Sequence, residues 1–143
     1  MSEARRVWMR WMWKAHRFWW RVSGGRIGGR IRGLPVLELT TTGHRSGAPR
    51  SVLLSYVPRP AGFGVIASNA GADRDPAWWL NLRVHPEARV RARGERVAVI
   101  AEVLEGDERD QVWTAAVRAN PDYEGYARAT DRPIPVVLLR RRG

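Results

Sequence analysis

The chain reads as an antiparallel β-barrel with helices at its edge, and three observations carry that reading. Past residue 34 the apolar runs are short and broken at regular intervals by Gly, Pro, Asn and Asp, the punctuation of strands and turns. Connections of hairpin length dominate, which makes successive strands antiparallel neighbours. Two segments in this region carry helix start and stop signals. The expected order is βββαββαβ, behind an amphipathic N-terminal helix.

Residues 5–22 predict that first helix. At about 100° per residue, Arg6, Arg10, Lys14, Arg17 and Arg21 share one arc of roughly 80°. Trp8, Trp11, Met12, Ala15, Phe18, Trp19 and Val22 flank it on one side; Met9, Trp13, His16 and Trp20 flank it on the other. A basic stripe opposite a broad tryptophan-rich face suits a helix lying in an anionic membrane interface, because indole rings favour the headgroup region. The charges recur too often for a membrane span, and no secretory cleavage pattern follows. Packing on the domain is the ordinary alternative. Nucleic acid is disfavoured, because the tryptophans sit opposite the arginines instead of among them. The Gly-rich basic stretch at 24–30 reads as a hinge, dividing residues 1–33 from a domain of residues 34–143.

The barrel elements follow in order. Strands are expected near 35–42, 50–57 and 62–69. A helix over 76–84 has Asp75 as its N-cap, Pro76 in its first position and Pro86 beyond its end. Strands near 87–93 and 95–104 are divided by Gly94-Glu95. A second helix spans 107–119, opened by Asp107 and closed before Pro121. The last strand covers 134–140.

Composition limits the chemistry. A chain of 143 residues, 44% of them hydrophobic, is large enough for one core and too apolar for disorder. There is no cysteine, hence no disulfide, thiolate ligand or thiol nucleophile. His16, His44 and His85 lack metal-ligand spacing, and no nucleophile elbow, Walker loop or dinucleotide fingerprint is present. The net charge of +11 is uneven, with +8 in residues 1–33.

The densest signal is Thr40-Thr41-Thr42-Gly43-His44-Arg45-Ser46-Gly47-Ala48-Pro49-Arg50, a basic turn between two apolar runs. Glycine lets a backbone approach a phosphate, hydroxyls and amides donate to it, and arginine supplies charge-assisted bonds. By itself the pattern is more often that of a plain solvated hairpin.

Further segments follow that turn in order: Ala67-Ser68-Asn69-Ala70-Gly71-Ala72, then Asp75-Pro76-Ala77-Trp78-Trp79-Leu80-Asn81-Leu82, then Pro121-Asp122-Tyr123-Glu124-Gly125-Tyr126, and finally Thr130-Asp131-Arg132-Pro133-Ile134-Pro135. Together they resemble the deazaflavin-dependent nitroreductase family of actinobacteria, over roughly residues 34–140. The resemblance implies a six-stranded split β-barrel of the flavin-reductase type. It also implies coenzyme F420, an 8-hydroxy-5-deazaflavin, as hydride donor to a quinone, nitro compound or activated alkene. A cytoplasmic protein at the inner face of the membrane would fit the N-terminal helix.

Carried over, the resemblance gives the cofactor's phosphate and oligoglutamate tail to Arg45, Ser46, Gly47 and Arg50, with His44 nearby where relatives carry Arg or Lys. Ser68 is implied to lie near the deazaflavin ring. Asn69 stands where some relatives have a tail-binding lysine, and Gly71 and Ala72 let the loop pass close. Trp78 and Asn81, one helical turn apart, share a face toward the ring, while Trp79 belongs to the core. Tyr123 and Tyr126 line the acceptor pocket, with Tyr123 the hydrogen-bond donor; Asn120 replaces a further tyrosine of several relatives. Asp131 and Arg132 are expected to form a structural pair. No metal is expected. Two rival readings remain: an oxidoreductase of the same barrel using FMN or haem, and a non-enzymatic cofactor carrier. The sequence leaves the oligomeric state open.

Overall fold

A computed structural model describes residues 30, 31 and 33–143. The helix expected over 5–22 and most of the hinge lie outside those residues. The strands are β1 (Arg30–Ile31), β2 (Leu34–Thr42), β3 (Pro49–Ser55), β4 (Val57–Arg59), β5 (Gly62–Ile66), β6 (Glu87–Ala92), β7 (Glu95–Val103) and β8 (Val136–Arg141). The helices are α1 (Ala77–Val84), α2 (Gly106–Ala119) and α3 (Asp122–Arg128), with a single 3-10 turn at Asn69–Gly71.

Every strand pairing is antiparallel. The sheet runs β1-β2-β6-β7-β8-β5-β4, and β3 pairs with β2. β3 and β4 are consecutive, and the Tyr56 N–H between them donates to the Pro35 carbonyl at 2.9 Å. One bent strand therefore joins β2 to β5 and curls the sheet on itself. Counting β3–β4 as one and setting aside the two-residue β1, the barrel strands are β2, β3–β4, β5, β6, β7 and β8, the six expected.

The differences from the expected order have local causes. The run at 50–57 breaks at Tyr56, where the chain leaves β2 for β5. The strand expected to reach 69 stops at Ile66, because Asn69 and Ala70 take left-handed conformations (φ 46° and 53°). Residues 122–128 form a helix of their own, making the order past β2 richer by β4 and α3. Asp75 is not the N-cap of α1: Pro76 takes that place without a side-chain bond, and the Asp75 carboxylate pairs with Arg132 at 3.1 Å. Arg132 consequently has Asp75 as its partner, not Asp131. The ladder of β1 includes Arg30, so the end of the segment read as a hinge is part of the sheet.

Alternation builds two cores. Leu37 and Leu39 of β2, Phe63 and Val65 of β5, Val90 of β6, Val99 of β7 and Val137 and Leu139 of β8 fill the barrel. Trp78, Trp79 and Leu82 of α1 join the same cluster. The opposite face of β8, Val136 and Leu138, packs under Val112 and Ala116 of α2 and Tyr123 of α3. α2 approaches closely because of Gly64, where a Cβ would stand 2.9 Å from a Val112 methyl.

Candidate active site

The basic turn between β2 and β3 is closed by its own backbone. Gly43 N–H donates to Ala48 at 2.8 Å, and Gly47 N–H, in a glycine at φ 71°, donates to Gly43 at 2.9 Å. Ala48 N–H donates to the Ser46 hydroxyl at 3.1 Å, and His44 N–H to Asn81 Oδ1 at 3.0 Å. Four of the turn's amides are thus engaged within the protein. What remains for an anion is chiefly the side chains. Arg45 is exposed and makes no hydrogen bond or ion pair among the described residues; Arg50 makes long contacts of 3.5 Å to Ser46 Oγ and the Pro49 carbonyl.

Asn81 anchors this turn to α1. Its amide donates to Thr41 Oγ1 at 3.0 Å, and Thr41 in turn donates to the Arg50 carbonyl at 3.4 Å. Its oxygen accepts from His44 twice, through the backbone N–H and through Nδ1. Because an amide oxygen only accepts, the imidazole carries its hydrogen on Nδ1 and leaves Nε2 outward of this contact. Asn81 is 4% exposed, so the expected face toward a ring is instead a buried link among α1, β2 and the turn. Trp78 is as buried as Trp79, their rings 6.4 Å apart, and both belong to the barrel core.

The second group of expected residues lies between β5 and α1. Ser68 is 9% exposed and its hydroxyl has no hydrogen-bond partner among the described residues. Its carbonyl accepts from Gly71 N–H and from Arg132. Asn69 donates to the Arg74 carbonyl at 3.1 Å. Gly71 (φ 80°) has its hydrogen where a Cβ would come within 2.9 Å of Ala129 and 3.1 Å of Tyr126 Cα. The glycine serves the approach of α3, which seats Tyr126 on this turn. Ala72 is buried beside it, its carbonyl accepting from Arg132.

Tyr123 lies deeper, 9% exposed, with its ring edge-on to Trp113 at 6.4 Å and to Tyr126 at 5.8 Å. Burial, with a smaller effect of Tyr126, pushes its phenol up to about 12. The group keeps its proton throughout the neutral range, a hydrogen-bond donor and a weak acid. Sequence reading overlooked Trp113, Thr41 and the reach of Arg132. Thr41 was discoverable, since alternation along β2 places it on the inner face with Leu37 and Leu39.

The described residues offer no group of three His, Asp or Glu placed to hold a metal ion, and no helix long and apolar enough to cross a membrane. Two accessible guanidinium groups at a closed turn suit an anionic group, and the buried Ser68 hydroxyl, without a partner among the described residues, lies beside the tyrosine-bearing helix.

A curled antiparallel sheet of this order, flanked by helices, is a barrel of the split-barrel class. The haem storage protein HutZ of Vibrio cholerae shares the fold alone, at 16% identity and a TM-score of 0.58 over 80% of this chain and 85% of the other. The profile of the F420H(2)-dependent quinone reductase family matches residues 11–141, and the chain belongs to that family. An F420H(2)-dependent quinone reductase of Mycobacterium tuberculosis is 35% identical over 127 residues, covering 86% of this chain and 85% of its own. A solved structure of an F420-dependent reductase aligns with a TM-score of 0.67 at 36% identity, over 74% of this chain and 94% of the other. Another solved structure, described as a domain-swapped dimer, aligns with a TM-score of 0.70 at 30% identity, over 95% of this chain and 99% of the other. The chain is an oxidoreductase of the F420-dependent type.

Proposed function

We propose that the protein moves a hydride from reduced coenzyme F420 to a quinone, with the cofactor's anionic tail held at the basic turn and its ring beside Ser68. The observation that carries this reading is the pairing of exposed Arg45 and Arg50 with a turn locked to α1 through Asn81 and His44. The closed backbone of the turn fixes where the two arginine side chains start, so less of the site has to be ordered when a polyanion binds. The cofactor supplies the hydride when bound; the protein's part is to hold it, orient it and exclude water. Ser68 offers a hydroxyl with no competing partner among the described residues. Tyr123 and Tyr126 form the acceptor side, where Tyr123 hydrogen-bonds a quinone oxygen while retaining its own proton, so that the product's proton comes from solvent. Ser46, Gly47, Asn69, Gly71 and Ala72 shape the two turns, and Trp78 supports α1 from the core.

The helix read in residues 5–22 extends the proposal. A basic, tryptophan-rich helix lying on an anionic membrane would bring the acceptor side near quinones dissolved in the bilayer.

The test is a parallel titration of the protein with coenzyme F420 and FMN, followed by tryptophan fluorescence. Saturable quenching selective for F420, with turnover of a quinone by the reduced form, is the expected result. Selectivity for FMN would replace the cofactor, and tight F420 binding without turnover on quinone or nitro acceptors would make the protein a carrier.

A further inference from the structure

Arg132 precedes β8 and donates through all three nitrogens of its guanidinium. Nε reaches the Ala72 carbonyl at 2.8 Å. One terminal nitrogen reaches the carbonyls of Ala67 at 3.2 Å and Ser68 at 2.8 Å. The other reaches the Asp75 carboxylate at 3.1 Å and the Pro133 carbonyl at 3.5 Å. The side chain is 13% exposed. Four of these five acceptors belong to one short segment, 67–75, whose course includes the Ser68 hydroxyl, unpartnered among the described residues. A second tether, from Thr130 Oγ1 to Asp73 Oδ1 at 2.9 Å, holds the same segment to the same stretch of chain.

The segment needs holding. Asn69 and Ala70 both sit at positive φ, a conformation costly to residues with a Cβ and maintained only where surroundings over-determine it. A planar guanidinium meets several acceptors in fixed directions; an ammonium is a point donor that reaches fewer. Without the fork, the carbonyls of Ala67, Ser68 and Ala72 lose their common anchor, and the Ser68 side chain loses its fixed origin.

We propose that Arg132 is a positioning residue of the cofactor site, acting through Ser68: its grip on the carbonyls of Ala67, Ser68 and Ala72 sets where the Ser68 hydroxyl stands. The proposal rests on the reading of the Ser68 turn as part of the F420 site. The role is distinct from that of Arg45 and Arg50, whose guanidinium groups face solvent and are free to meet the ligand directly.

A double-mutant cycle on the full chain tests it, with the dissociation constant of F420 read by fluorescence well below the melting temperature of each variant. Arg132→Lys is expected to weaken binding about tenfold in the unmodified background and less than about twofold in the Ser68→Ala background. Asp75→Ala removes the charged acceptor and leaves the carbonyl grip to work without its ion pair. It is expected to weaken binding about threefold, again only where Ser68 is present, and it serves if Arg132→Lys does not fold. Folded variants that bind as tightly as the unmodified protein, or whose effects simply add to that of Ser68→Ala, would overturn the assignment. An unmodified protein that fails to bind F420 would overturn the reading of the site itself, and the role of Arg132 with it.

Discussion

Asn81 donates to Thr41 and accepts twice from His44 while almost wholly buried, so its loss leaves several groups without partners in a place water hardly reaches. Asn81→Ala is expected to lower stability by about 2–3 kcal/mol in urea denaturation, the cost of orphaning buried donors and acceptors. Arg50 behaves differently, since no strong contact holds it. Arg50→Ala should leave the melting temperature nearly unchanged and weaken F420 binding by about 1.5–3 kcal/mol if the guanidinium grips a phosphate; unchanged affinity would remove it from the site. Tyr123 carries a prediction in pH. Its phenol is raised to about 12 in the fold, above the ordinary 10, so the unfolded chain releases that proton first. Its contribution is fully present below about pH 10 and falls away between about 10 and 12, amounting to about 3 kcal/mol at most. Tyr123→Phe should flatten the decline of stability measured over that window. At this scale the sequence named most of the residues that meet in the structure, yet assigned several of them the wrong neighbours. Asn81 and Trp78 have helical spacing that is compatible with a ligand-facing surface or a packed one, and burial chose the latter.

β5 shows what governs an element. Its sequence, Gly-Phe-Gly-Val-Ile, is buried throughout, because Phe63 and Val65 face the barrel while the other positions meet β8 and α2. At Gly62 a Cβ would stand 2.0 Å from the Leu139 carbonyl oxygen, so Gly62→Ala cannot be accommodated without displacing the β5–β8 ladder. A loss of about 1–3 kcal/mol, read as an earlier urea midpoint, is expected, with a larger loss if the ladder frays. Strand positions were legible because turn residues bracket them and alternation sorts their faces. The bend at Tyr56 was not, since nothing in the run from Val52 to Val57 marks a break there and its change of partner depends on β5. α3 was half legible: the spacing of Tyr123 and Tyr126 suits a helix, but its packing on Gly71 involves chain more than 50 residues away. Asp75 followed capping statistics and lost to a stronger acceptor role, because a neighbouring guanidinium outcompetes a helix end for a carboxylate.

Over the whole molecule, charge and fold divide the work. The candidate site lies at turns of the barrel, whereas the cationic excess is concentrated in residues 1–33. The full-length protein is expected to float with anionic liposomes at low salt and to be released as salt rises, as screening weakens attraction between exposed charges. Flotation that is absent at low salt would remove the membrane from the proposal. The sequence by itself determined the fold class, the basic turn and the family, for these rest on local punctuation, alternation and ordered motifs. Only the tertiary structure decided which polar groups are engaged and which are free: Arg132 reaches carbonyls 60 to 65 residues away, and His44 meets Asn81 across 37. Such pairings depend on how the strands close the barrel, and no local pattern in the chain records them.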